Sequence, residues 1–154
     1  MRQFANLDEL KSAVGEVLGA GEWFTVTQEI IDKFAEATGD FQYIHVDPER
    51  ARNGPFGTTV AHGFLTLSLL PTLGRSVYRV GGIATGINYG ANRIRFIEPV
   101  KVNARIRSSV KLLSVEPHPP GERIATETTV EIEGSEKPAL VAEILSLMIR
   151  DRAA

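Results

Sequence analysis

The 154-residue chain has no cysteine, so disulfides, thiolate nucleophiles and zinc-thiolate centres are excluded, and any chemistry must use other groups. It also lacks a long hydrophobic run. The most apolar stretch, residues 64–73, is interrupted by Thr66, Ser68, Pro71 and Thr72 and is too short and mixed to cross a bilayer. Residues 1–11 mix Arg2, Asp8, Glu9 and Lys11 and lack the basic-then-apolar order of a signal peptide. A cytoplasmic location away from membranes is therefore expected. No block of one charge exists either: 17 basic residues face 19 acidic ones, for a net charge of −2, and the basic ones are scattered. The electrostatic footprint of a nucleic-acid binder is missing.

What remains, 43% hydrophobic and 23% charged residues, is the composition of an ordinary globular domain. Asn6 followed by Glu9 has the form of a capping box, and Leu7, Leu10, Val14, Val17 and Leu18 then recur at helical spacing, which predicts a first helix ending near Gly19 or Gly21. A short strand is expected over residues 23–26. Thr25 or Thr27 can cap a second helix whose buried face is Ile30, Ile31, Phe34 and Ala37, closed by Gly39. Asp47-Pro48-Glu49 reads as a cap and first turn of a short helix, leaving residues 40–46 as a loop between helix ends. After a Gly/Pro/Thr-rich loop at residues 53–59, the apolar run 60–73 predicts a central buried helix that Pro71 bends.

Beyond Gly81 the period changes to two. Residues 82–96 predict a bulged, glycine-punctuated strand. Val102, Ala104, Ile106, Ser108, Val110 and Leu112 form one face of the next, and two further strands follow over residues 122–133 and 139–150. Helices first and an antiparallel meander afterwards define an α+β fold, here one domain over residues 1–154 with a sheet wrapped on a central helix.

The densest chemical signal is Gly39-Asp40-Phe41-Gln42-Tyr43-Ile44-His45. A carboxylate and an imidazole five residues apart in a short loop can converge on one water, which suits its addition or elimination. By spacing alone the plainer reading is favoured, with Asp40 a local cap and His45 a satisfied polar residue.

Residues 39–51 resemble the hydratase signature of the MaoC family, Gly-Asp-x-Asn-Pro-aliphatic-His followed by Ala or Ser. Gly39, Asp40, Ile44, His45 and Ala51 match it, while Gln42 stands for Asn and Tyr43 for Pro. Val60-Ala61-His62-Gly63-Phe64-Leu65-Thr66 resembles the start of that family's central helix, and residues 93–100 its Arg-Phe-x-x-Pro-Val segment. The resemblance spans about residues 24–150. It implies a hotdog fold and reversible hydration of a trans-2-enoyl-CoA to an (R)-3-hydroxyacyl-CoA. Asp40 and His45 would be the acid/base pair and the Gly63 backbone N–H an oxyanion donor. It also implies an acyl-CoA thioester partner, no cofactor beyond the coenzyme A of the substrate, and no metal.

A chain this short is expected to complete an acyl pocket as a homodimer. Gln42, Tyr43, Phe41, Phe56, His62, Arg93 and Arg95 are the candidate substrate-binding residues. Each has a plainer role: core packing for the aromatics, a backbone bond for His62, a solvated strand face for the arginines, and close helix–sheet packing for Gly63. An acyl-CoA thioesterase, or a non-catalytic acyl-CoA-binding or dimer-partner module, is the alternative.

Overall fold

The computed structural model describes residues 1–151. It opens with β1 (Arg2–Phe4) and α1 (Leu7–Ser12). Asn6 caps α1, its side-chain oxygen accepting the Asp8 and Glu9 backbone N–H groups at 3.0 and 2.9 Å. The helix stops well short of the expected end. Gly15 adopts a left-handed φ of 93°, and Val17 and Leu18 enter β2 (Val17–Ala20) instead. The burial that suggested a longer helix is still achieved, because Leu7, Leu10 and Leu18 share one cluster with Val77, Leu112 and Ile124.

β3 (Phe24–Thr25) leads into α2 (Gln28–Thr38), capped by Thr27 and closed by Gly39 at φ 78°, a conformation that favours glycine. Residues 40–46 are not wholly loop. They contain a single turn, α3 (Tyr43–Val46), closed by the bonds His45 N–H to Gln42 C=O and Asp47 N–H to Tyr43 C=O. Asp47 then caps α4 (Pro48–Arg52) by accepting the Arg50 N–H at 3.0 Å.

The central helix also differs from expectation. It starts at Gly63, not at Val60, which instead bridges to Lys101. It is broken at Leu69 into α5 (Gly63–Ser68) and α6 (Leu70–Gly74). Pro71 has no N–H to donate to the carbonyl four residues back, which explains the interruption. Nor is it buried all round: Leu65 and Leu73 face the core, whereas Phe64 is 65% exposed.

Two strands follow, β4 (Tyr78–Val80), which pairs in parallel with β1, and β5 (Ile83–Phe96). The meander β6 (Arg105–His118), β7 (Gly121–Ile132) and β8 (Leu140–Arg150) completes a six-stranded sheet of order β2-β6-β7-β8-β5, with β3 also pairing β6. β5 lies at one edge, antiparallel to β8, and its register shifts three times along their pairing. Such bulges bend a strand and let a sheet wrap. Leu65 and Leu73 pack on Ile106, Val130, Leu140 and Ala142 in the main core, where each fully buried Leu, Ile or Val contributes roughly 1.5–3 kcal/mol.

Candidate active site

Two helix ends and one strand-like segment meet at the candidate site. Gly39 ends α2 and releases Asp40 into solvent. The turn α3 carries His45 inward, where it is only 7% exposed. Residues 60–62 run beside it, held by the Val60 N–H to Ile44 C=O and Ala61 N–H to Val100 C=O bonds.

His45 Nδ1–H donates to the Val60 carbonyl at 2.7 Å, which fixes the tautomer and leaves Nε2 with a free lone pair. Burial pushes the imidazole below its ordinary value near 6.5, and His62 acts in the same direction. The Val60 bond and the Asp40 carboxylate oppose them. Neutral His45 is thus a ready proton acceptor at pH 7.

His62, 4% exposed, stacks on His45 with ring centroids 3.8 Å apart and planes 25° from parallel. Phe34 packs on it from the other helix at 5.0 Å. His62 Nε2–H donates to the Asp40 backbone carbonyl at 3.0 Å, as its plainer role anticipated. Its Nδ1 is buried and has no partner. A carboxylate oxygen of Asp40 and one ring nitrogen each of His45 and His62 lie within 4.8 Å of one another. A single water hydrogen-bonded at about 2.8 Å to two acceptors spans up to about 5.6 Å, so their separations are within the reach of one bridging water.

The same donor types can ligate a divalent cation, but the stacking works against it. An imidazole–metal bond of about 2 Å is directed along the ring-plane lone pair, and two nearly parallel rings aim their lone pairs side by side.

Gly63 opens α5, and His62 provides no side-chain cap. A Cβ on Gly63 would come within 3.1 Å of the Phe96 ring, a tight approach that the ring must yield by a few tenths of an ångström to accept, so close packing already favours glycine here. Phe41 is 59% exposed, Phe56 is half-buried, and neither is fixed in the main core.

Gln42 contributes its backbone: its N–H reaches Asp40 Oδ1 at 3.3 Å, while its amide makes no hydrogen bond among the described residues. Tyr43 turns toward α4, where the Arg50 guanidinium sits 4.0 Å above its ring. A cation–π contact therefore restrains the loop where proline would have done so. Arg93 and Arg95 lie exposed on β5, on the face opposite Ile94, and Arg95 donates to the Ile94 carbonyl. Neither bonds to the Asp40–His45 cluster.

Gln28 escaped the sequence reading. From the first turn of α2 its Nε2 donates to the His45 carbonyl at 2.7 Å and to Asp32 at 2.8 Å, while its Oε1 accepts the Thr59 hydroxyl at 2.6 Å. A polar residue in register with Ile31 and Ala35 on the buried stripe was the available signal.

A helix laid on a wrapped antiparallel sheet, with the polar cluster at the helix start, is the hotdog architecture. The monoamine oxidase regulatory protein from Archaeoglobus fulgius is similar with a TM-score of 0.75 and 26% identity, covering 97% of each chain. The unliganded R-hydratase PhaJ1 of Pseudomonas aeruginosa shares the fold at a TM-score of 0.75 and 23% identity, over 96% of this chain and 88% of that one. The MaoC like domain matches residues 9–135, and the chain belongs to that family. Among curated relatives, 3-hydroxyacyl-thioester dehydratase Z of Mycobacterium tuberculosis (strain ATCC 25618 / H37Rv) is 54% identical over 144 residues, 93% of this chain and 95% of the relative. Nodulation protein N of Rhizobium leguminosarum bv. viciae is 44% identical over 146 residues, 93% and 91% of the two.

Proposed function

We propose that the protein is a hydro-lyase that adds water reversibly to a trans-2-enoyl-CoA to give an (R)-3-hydroxyacyl-CoA. The observation that carries this reading is the Asp40 carboxylate held within one water's reach of the His45 and His62 nitrogens. The thioester dehydratase named among its relatives and the R-hydratase that shares its fold support it.

Water donates one hydrogen bond to the Asp40 carboxylate and one to His45 Nε2, which directs an oxygen lone pair at the β-carbon. As that C–O bond forms, an O–H bond breaks and the proton passes to the pair, which returns it to the α-carbon. Negative charge on the thioester oxygen meets the N–H of Gly63 in the first turn of α5, a donor whose bond strengthens as charge develops. No metal or redox cofactor takes part. Arg93 and Arg95 are positioned on an open strand face where a bidentate grip on the coenzyme A phosphates is possible.

A homodimer is part of the proposal. β5 pairs with β8 on one side only, and Ile87, Tyr89, Phe96 and Ile97 are each more than 40% exposed along or just beyond it. A second copy would cover both the edge and these side chains.

The test is hydration of enoyl-CoAs of increasing length, followed by loss of the conjugated absorbance, with free thiol measured in parallel. Turnover without thiol release, reduced at least a hundredfold by Asp40→Asn and by His45→Gln, is the expected result. Thiol release would indicate a thioesterase instead, and undiminished turnover in both variants would refute the assigned pair.

A further inference from the structure

A cavity of about 890 Å³ lies between the α5–α6 helix and the sheet. It begins at Leu67, four residues along the helix that opens at Gly63, or about 6 Å of helical rise. The cavity lies further along the same helix, its lining beginning beyond the residues of the candidate site, and its volume sits at the upper end of small-ligand pockets, roughly 300–1,000 Å³. Much of its lining is apolar, including Leu70, Ile83, Ile144 and Met148, with Arg75 and Asn88 also bordering it.

Its sheet side is different. Along the inward face of β6, Ile106, Val110 and Leu112 are buried, yet Ser108 stands among them. On β7, Ile124 and Val130 flank Thr126 and Thr128, and on β8 Ser146 stands between Ile144 and Met148. All four hydroxyl residues border the cavity. The strand register makes them neighbours: Thr128 lies opposite Val110, two residues from Ser108, and Ser146 opposite Ile124, two residues from Thr126.

One of the Thr126 and Thr128 hydroxyls donates to the other at 3.4 Å, which leaves the second O–H available. Ser108, with no accessible surface at all, has no hydrogen-bond partner. Buried hydroxyls are nearly always paired, so an orphan beside a cavity points to a missing ligand atom. A site for plain alkyl chains would gain nothing from four hydroxyls at positions that otherwise hold Ile, Val and Leu.

We infer that this cavity receives the acyl group and selects chains carrying a hydrogen-bonding oxygen, hydroxyl or carbonyl, beyond the reacting carbons. The inference rests on the hydro-lyase reading for the identity of the thioester, but it makes a separate claim about the tail. Ser146 and the Thr126–Thr128 pair, which border the cavity, donate to or accept from that oxygen, and Ser108, fully covered in the empty protein, joins them once a ligand displaces its cover.

The probes are saturated acyl-CoAs of eight to twelve carbons, plain or hydroxylated at successive positions from C5 outward, titrated calorimetrically into the intact protein. The matching 2-enoyl-CoAs give kcat/KM. At one or more substituent positions the hydroxylated chain should bind and turn over about tenfold better than its plain counterpart, the yield of one well-made buried hydrogen bond over an unfilled partner. Ser108→Ala and Thr128→Val should each narrow that ratio toward one. Should Ser108→Ala not fold, Thr128→Val and Ser146→Ala carry the same comparison.

Equal affinity for plain and hydroxylated chains at every position, or a ratio unmoved by the variants, would overturn the inference and assign the hydroxyls to buried water. A binding preference without hydration of any substrate would sink the hydro-lyase reading and leave the cavity assignment standing. Hydration without preference would do the reverse.

Discussion

Removing the Gln28 amide should cost about 3 kcal/mol and release the backbone that carries His45. Gln28→Leu abolishes the bonds to the His45 carbonyl and the Thr59 hydroxyl, each worth about 1 kcal/mol net, and leaves Thr59 stranded. Thr59 is 1% exposed, so water cannot replace the lost acceptor and roughly another 1–2 kcal/mol follows. The bond to Asp32 adds little, because that carboxylate is partly exposed and rehydrates. For a domain of this size about 3 kcal/mol corresponds to a fall in Tm of roughly 6–12 °C. Urea denaturation should show it as a lower midpoint with unchanged slope. Adding Thr59→Val to Gln28→Leu should then recover about 1–2 kcal/mol, since no stranded hydroxyl remains. A single-variant cost below about 0.5 kcal/mol, or two substitutions whose costs simply add, would refute this account.

His45 gives a pH prediction. Its folded-state value is lowered chiefly by burial, so the unfolded chain binds the proton more readily. The stability tied to neutral His45 is complete above about pH 6.5 and declines as pH falls through the folded value; urea midpoints between pH 7.5 and 4.5 should fall more steeply in the wild type than in His45→Gln. Gly63→Ala separates two roles for that glycine. The alanine keeps the N–H but brings a Cβ against Phe96; if packing alone matters, adding Phe96→Ala should restore kcat/KM to within about threefold, whereas a requirement for open space beside the thioester leaves it at least tenfold down.

Elements with a strict period were the most legible in the sequence. The three strands of the meander fall within a few residues of their expected bounds because alternation leaves one face of each buried. The first helix was misjudged because Leu7, Leu10 and Leu18 are compatible with one helical stripe. The same three are also buried by a helix, a left-handed Gly15 and a strand, and only tertiary packing decides between them. The run 60–73 misled in a related way: apolar composition does not separate a bridge at Val60, an exposed Phe64 and a proline break from an unbroken buried helix.

At the site, Asp40 and His45, the pair on which the resemblance turned, lie close together, and His62 joins them. What holds them does not show in any motif. The Val60 carbonyl, the Gln28 amide and the Arg50–Tyr43 stack act across 15, 17 and 7 residues of chain, and each is a contact between elements. The Tyr43 departure proves the most instructive, since a residue that removes a rigid turn also introduces the ring that clamps it. Ser108 was read as a member of an apolar face, which is where it lies. Its missing partner becomes visible only once the cavity beside it exists.

β5 is at once the open edge of the sheet and a wall of the large cavity, with Ile83, Ile87 and Tyr89 bordering that space. Pairing along the edge and filling of the cavity therefore act on the same strand, and two equilibria that share a strand are thermodynamically linked. Whatever free energy association contributes to ligand affinity, the ligand must return to association in equal measure. For the proposed homodimer, a positive coupling would make subunit concentration a variable of activity: dilution would then weaken acyl binding, and saturating acyl-CoA would hold the pair together.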